Sequence, residues 1–272
     1  MVEDHELGKH LSEMMKKYPK MQTQFLFEFM DLTWVPSGLR ATILDVLECC
    51  LGPSPRRYYE WVASEILNLV EDGSVHTIVE LGAGAAPITH ELAKRLNGRK
   101  GISLRVSDLY PNKALYLTLE EKYPDLIQAD RRSVDFSRPM DFPPGSLLVL
   151  SGTIHHLPPA ARRHALEALS AYRVAIFEPL RRNPASLFLS LLGIFPGLAT
   201  PLQFWNLRPG NWRRILWCWL LPLAPVMIVW DGIVSCLRCW TDQEWKEYLA
   251  LVIAADREVF TKSKLFNQVI VW

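Results

Sequence analysis

The sequence predicts an α/β fold, a mostly parallel β-sheet covered by helices on both faces. Three observations carry that prediction. Five short runs rich in aliphatic and β-branched residues, "TIVEL", "ISLRVSD", "LIQAD", "SLLVLSG" and "RVAIFE", lie between Thr77 and Glu178 and read as strands of a buried sheet. Stretches with apolar residues at helical spacing separate them, among them "ITHELAKRL", "KALYLTLEEKY" and "AARRHALEALSAY", and such alternation argues for parallel strands. Two glycines, Gly82 and Gly84, directly follow the first strand, at the sheet edge where open α/β folds hold their ligands.

Taken in order, residues 1–72 read as a helical N-terminal cap. "FLFEFMDLTW" is an aromatic stripe and "ATILDVLECCL" has helical periodicity. In "SPRRYYEWVASEILNLV", Ser54 is placed to cap a helix that Pro55 begins. Residues 73–272 form the sheet domain, interrupted by an apolar insertion at 183–230. After it, "TDQEWKEYLALVIA" opens with a capping box, Thr241 and Glu244. "EVFTKSKL" and "QVIVW" then supply a sixth and seventh strand, antiparallel to one another.

The bulk composition narrows the function. A chain of 272 residues, 49% hydrophobic, can bury a full core. A net charge of +1 gives no electrostatic case for nucleic acid. The polar start "MVEDHELGKH" does not read as a signal peptide, and five cysteines, an odd number, fit a reducing compartment. The expected location is cytoplasmic, or peripheral at a membrane.

The turn Gly82-Ala83-Gly84 lets the chain bend tightly and lets a ligand approach the backbone. A pyrophosphate-binding turn would have a third glycine, but Pro87 stands there. The next strand ends at Asp108, where a carboxylate can accept both hydroxyls of a ribose or simply hold a turn ahead of Pro111.

The ordered motifs "VELGAGAAP", "SDLYPN", "SVDF", "LLVLSGTIHHLPP" and "AIFEP" resemble those of class I S-adenosylmethionine-dependent methyltransferases, over residues 54–182 and again over 231–272. "DLYPN", "HH" and "WDGIVSCLR" are also similar to a bacterial group within that class. The resemblance implies a Rossmann-like seven-stranded sheet, mostly parallel with the last strand antiparallel, a helical N-terminal cap, and an apolar insertion after the fifth strand. It implies S-adenosylmethionine as cofactor. Gly82 and Gly84 would pass its methionine part, Glu80 would orient the amino group, and Asp108, with Leu109 beside it, would take the ribose. Asp135 would accept the adenine amine with Val134 beside the ring, Asp130 competing for that role, and Ser151 would complete the cofactor set. It also explains Pro87, since this cofactor has no pyrophosphate.

The chemistry is expected at "SGTIHHLPP". His155 or His156 could act as general base, because imidazole titrates near neutral pH; either could instead only cap the helix. Thr153 and Ser151 are candidate substrate contacts. Glu178 could orient a histidine or touch substrate, or pair with Arg181 or Arg182. Asp231 could line the same mouth, but reads rather as a turn aspartate before Gly232. "CLRC", Cys236 to Cys239, is a single cysteine pair where structural zinc needs about four ligands, so it reads as core and no metal is expected.

The insertion carries no charge from Asn183 to Leu207 or from Ile215 to Trp230. The first segment is long enough to span a bilayer, but Pro196, Gly197 and Pro201 are expected to break it; Pro222 and Pro225 interrupt the second. Arg181, Arg182, Arg208, Arg213 and Arg214 edge the segments, with Trp205, Trp212, Trp217, Trp219 and Trp230. Three readings stay open: a hairpin dipping into one leaflet, a lid over a greasy substrate pocket, or the face of a homodimer. The first two imply a lipophilic small molecule or lipid as substrate, methylated most readily at oxygen. The alternatives are an enzyme of this fold that uses the cofactor without methyl transfer, for a cyclisation or rearrangement, and a non-catalytic membrane- or partner-binding module.

Overall fold

The computed structural model describes residues 26–50, 53–99, 101–138, 140–202, 212–254 and 257–272. The helices expected within residues 1–25, and Trp205 and Arg208 of the insertion, lie outside the described residues. The chain divides into two compact units. One comprises Tyr58–Pro179 and Trp240–Trp272; the other comprises the described residues of Gln24–Arg57 and Leu180–Cys239.

The first unit holds the sheet. Its strands are β1 (Thr77–Leu81), β2 (Ser103–Ser107), β3 (Ile127–Ala129), β4 (Ser146–Ser151), β5 (Arg173–Glu178), β6 (Phe260–Ser263) and β7 (Gln268–Val271). The order across the sheet is β3-β2-β1-β4-β5-β7-β6. β1 to β5 are parallel, and β7 runs against both β5 and β6. The order reverses between β1 and β4, so the loops after those two strands flank the crevice where such sheets bind ligands.

Alternate residues of each strand feed two separate cores. Ile78, Leu147, Val149, Ala175 and Phe177 pack on one face with Val62, Ala63, Ile88, Leu92 and Tyr116. These come from α2 (Pro53–Leu69), α3 (Pro87–Leu96) and α4 (Lys113–Lys122). Val79, Leu81, Leu148, Leu150, Val174 and Ile176 point the other way, onto Ala165, Leu166, Trp245 and Leu249. Those belong to α5 (Pro159–Leu169) and α10 (Asp242–Val252). Strands buried on both faces have no polar side to show, which is why they read as near-continuous apolar runs. The capping box of α10 forms as the sequence reads, Thr241 and Glu244 each satisfying the other's backbone.

The second unit is helical. It contains α1 (Ser37–Cys50), α6 (Pro184–Leu192), α7 (Ile194–Ala199), α8 (Trp212–Ile215), a π-helical turn (Leu216–Leu220) and α9 (Leu223–Arg238). Val35, Leu39, Ile43 and Val46 meet Cys218, Ala224, Met227 and Ile228 in its core.

Four expectations need correction. Pro196 and Pro201 do not break the first apolar segment. Helical backbone runs from Pro184 to Leu202 with one turn residue, Gly193. Each proline falls in the first turn of a helical piece, where its missing N–H leaves no bond unmade. Asp231 is not a turn residue but sits inside α9, where its carboxylate accepts from the backbone N–H of Phe29 and Met30. Gly232 beside it serves close packing, since a Cβ there would lie 3.0 Å from Ser190. The aromatic stripe is a short 3₁₀ turn, Phe29–Asp31, and not an α-helix. α2 starts at Pro53, ahead of Ser54.

Candidate functional site

The loops at the carboxyl ends of β1, β2 and β3 are tied together by one residue, Asp108, through its carboxylate and its backbone carbonyl. Asp108 accepts from the Gly84 N–H at 2.8 Å and from the Tyr110 N–H at 2.7 Å. Its own carbonyl accepts from Val134 N–H at 2.9 Å. The Ser133 hydroxyl donates to the carbonyl of Leu109, a residue exposed at the surface. Asp108, Leu109, Gly84 and Val134 are therefore brought to one place.

The glycine turn is left-handed at alternate residues, Gly82 at φ +65°, Gly84 at +53° and Ala86 at +50°. The two glycines differ in what surrounds them. A Cβ on Gly82 would come within 2.4 Å of the Thr153 methyl, whereas one on Gly84 would meet nothing within 4 Å. Gly82 thus lets the β1 and β4 loops touch, and Gly84 faces open space. Gly82→Ala is expected to cost about 3 kcal/mol, the left-handed penalty plus the clash. Adding Thr153→Ser removes the clashing methyl and should recover part of that loss in denaturant unfolding. Equal stability of the single and double variants would refute the contact.

Glu80, fourth in β1, is buried, and its carboxylate accepts from both the N–H and the hydroxyl of Thr89 in α3. Burial raises its pKa from 4.5 to about 7, against the pull of the Thr89 bonds. The folded state therefore holds this proton more tightly than the unfolded chain. Its contribution to stability is complete below about pH 4.5 and is lost as pH rises towards 7, by about 3 kcal/mol. Relative to Glu80→Gln, the wild type should lose stability between pH 5 and 7.5; parallel curves would count against it.

Two tyrosines that the sequence reading missed stand close to these acids. Tyr116 is fully buried, its hydroxyl has no hydrogen-bond partner among the described residues, and its pKa is raised by burial and then by Asp108 and Glu80. Burial and then Glu80 raise that of Tyr59. Ser151, at the end of β4, has its hydroxyl 3.0 Å from that of Tyr58. The only sequence signal for these was the pair in "RRYYEW"; Tyr116 reads as a plain helix residue.

The two acids weighed for the adenine amine differ in setting. Asp130 pairs with Arg105 at 2.8 Å and, with Val134, Met140 and Phe142, lines a cavity of about 340 Å³. Asp135 is not among the lining residues. Its carboxylate is held by the Ser137 hydroxyl and N–H and by Arg138, and these hold its pKa below the usual carboxylate range.

His155 and Glu178 form a buried pair. Nδ1 of His155 lies 2.6 Å from Glu178 Oε2, and both side chains are nearly inaccessible. The second carboxylate oxygen, Oε1, is buried without a hydrogen-bond partner among the described residues. Parallel pairing of β4 with β5 brings the ends of both strands to the same edge. His155 sits in the 3₁₀ turn Ile154–His156, and Arg162 donates to its carbonyl at 2.9 Å while stacking over Trp240. The half-buried ring of His156 lies 4.4 Å from that of His155. Cys236 and Cys239 are both buried, as the core reading of "CLRC" has it.

No family profile matches the chain, and none of the curated proteins does. Solved structures do. Magnesium protoporphyrin IX methyltransferase from Synechocystis PCC 6803 with bound SAM superposes with a TM-score of 0.50 at 11% identity, over 92% of this chain and 99% of that one. Human N-acetylserotonin methyltransferase in complex with SAM gives 0.48 at 13% identity, over 98% of this chain and 65% of that one. A putative O-methyltransferase from Nostoc punctiforme PCC 73102 gives 0.48 at 10% identity, over 98% and 69%. At these identities the likeness is one of fold. The seven-stranded sheet, mostly parallel with its last strand reversed, is the Rossmann-like sheet of methyltransferases.

Proposed function

We propose that this chain is an S-adenosylmethionine-dependent methyltransferase acting on a lipophilic small molecule or lipid, with transfer to oxygen. The observation that carries the reading is Asp108. It closes the end of β2 onto Gly84, so a carboxylate and an unobstructed left-handed glycine stand together at the switch point of the sheet.

The residues fit the cofactor. Glu80, ionised above about pH 7, suits an ammonium group. Gly84 leaves room for close approach, and the unpartnered Tyr116 hydroxyl lies near both acids. Asp108 suits a ribose diol. The cavity beside it is mainly polar, and it offers a purine the apolar side chains of Val134, Met140 and Phe142 together with Asp130, which Arg105 already pairs. Asp135, engaged in its own turn, is the weaker candidate. When bound, the cofactor supplies an electrophilic methyl on sulfonium.

The chain supplies the proton acceptor. Glu178 at Nδ1 fixes the ring of His155 and leaves Nε2 as the atom that takes the proton from an acceptor hydroxyl. The buried carboxylate then stabilises the imidazolium that forms. Of the two histidines we assign the base to His155, because only this pairing explains a buried Glu178. The acceptor class follows from the uncharged insertion. The test is calorimetric titration of the full chain with S-adenosylhomocysteine, followed by product mass with a candidate lipophilic alcohol or acid. Binding and a mass gain of one methylene are expected. Failure to bind sinks the cofactor assignment; turnover without that gain favours a cyclisation or rearrangement.

A further inference from the structure

The second unit is built inside out. In 184–202 and 212–237 every exposed residue among those described has an apolar side chain. On α6 and α7 they form one stripe, Phe188, Leu191, Leu192, Phe195, Leu198 and Leu202, at the spacing of a single helix face. The opposite face of the same run carries Ser186, Ser190, Gly193 and Gly197. There the polar Ser186 and Ser190 are buried, and the Ser190 hydroxyl bonds back to a helix carbonyl. These small residues meet α9. A Cβ on Gly197 would lie 2.9 Å from Pro225, one on Gly193 3.4 Å from Ile228, and Gly232 returns the fit against Ser190.

A helical hairpin stabilised in water would bury its Leu and Phe and expose its Ser. The reverse arrangement is the one lipid selects, where bulky side chains gain nothing by turning inward and small ones let helices pack closely. Several charged side chains of the unit are held within it. Arg214 pairs with Asp45, Arg238 with Glu28 and Asp31, and Asp231 with backbone N–H groups. The run Pro184–Leu202 is about 28 Å long and only 28% of it is buried, so most of its apolar surface faces outward along its whole length. The second apolar pair is bent by 71°, which suits a re-entrant path. A second copy of the chain is a poorer occupant, because a protein interface mixes polar groups among its apolar ones, and among the described residues of these segments the fully exposed positions are all apolar.

We propose that this outer face of α6, α7, the π-helical turn and α9 is covered by the acyl chains of one leaflet of a lipid bilayer, which makes the protein monotopic at the membrane. One leaflet suffices, because both ends of the insertion rejoin the sheet unit. Trp219 and Trp230 fit such a site, since their indole N–H groups are already bonded to the carbonyls of Leu198 and Phe27.

The inference does not depend on the cofactor. The full chain is mixed with phosphatidylcholine vesicles, with and without an anionic lipid, and floated on a density gradient. The wild type should float with neutral vesicles. Phe188→Ser, Phe195→Ser and Leu220→Ser combined should lower the bound fraction at least tenfold and leave S-adenosylhomocysteine affinity within twofold. As a check free of variants, lipids brominated on the acyl chain should quench the wild-type tryptophan fluorescence. A wild type that stays with the soluble fraction overturns the proposal. So does a stable dimer by sedimentation without vesicle binding, which would assign the face to a second copy, or vesicle binding only after residues 1–25 are removed, which would assign it to that segment.

Discussion

His155→Ala is expected to lower turnover by roughly 10²- to 10⁴-fold, the usual worth of a positioned general base, with S-adenosylhomocysteine affinity changed by less than about threefold. Nδ1 lies 2.6 Å from a carboxylate with almost no access to solvent, so the ring has one nitrogen left for chemistry. Glu178→Gln keeps the shape but replaces the anion that stabilises the imidazolium. It should lower kcat with little change in KM. That split separates a positioning role from a packing one. His156→Ala should keep most of the activity. The reverse result, a dead His156→Ala and an active His155→Ala, would remove the buried pair from the mechanism.

Asp108→Ala is expected to weaken S-adenosylhomocysteine binding by about a hundredfold or more in calorimetry. Two hydrogen bonds from hydroxyls to a charged acceptor are each worth about 1.5–3 kcal/mol, and the same carboxylate organises the Gly84 and Tyr110 N–H groups. Asp108→Asn tests the second part, because an amide oxygen can still accept from one N–H. It should recover some folding stability and little affinity. If Asp108→Ala binds as tightly as wild type, the carboxylate is a turn residue only, and the central observation behind the proposed function fails.

Most of the local structure around the glycine turn was legible in the sequence because each clue is local. The glycine pair, Pro87 at the start of α3, Asp108 at the end of β2 and the capping box at Thr241 all act within a few residues of themselves. What depends on distant chain was not legible. Tyr58 reaches Ser151 across 93 residues, and Tyr116 shares its surroundings with Glu80 and Asp108 only through the packing of α4. The pair Asp130 and Asp135 could not be separated without knowing which of them spends its oxygens on a neighbouring turn.

The insertion shows the same division in reverse. Prolines and glycines read as breaks, yet in three dimensions they begin helical pieces or let helices touch. Asp231 looked like a turn and became a helix residue holding Phe29 and Met30.

The sequence alone determined the α/β class, the strand inventory, the glycine turn after β1 and the apolar character of the insertion, because these follow from periodicity and from conformational limits that act over one turn or one strand. Only the tertiary structure decided that Glu178 partners His155, that Asp130 and not Asp135 faces the cavity, and that the large side chains of α6 and α7 point outward. Those outcomes rest on strand register and helix packing, which set distances between residues far apart in the chain.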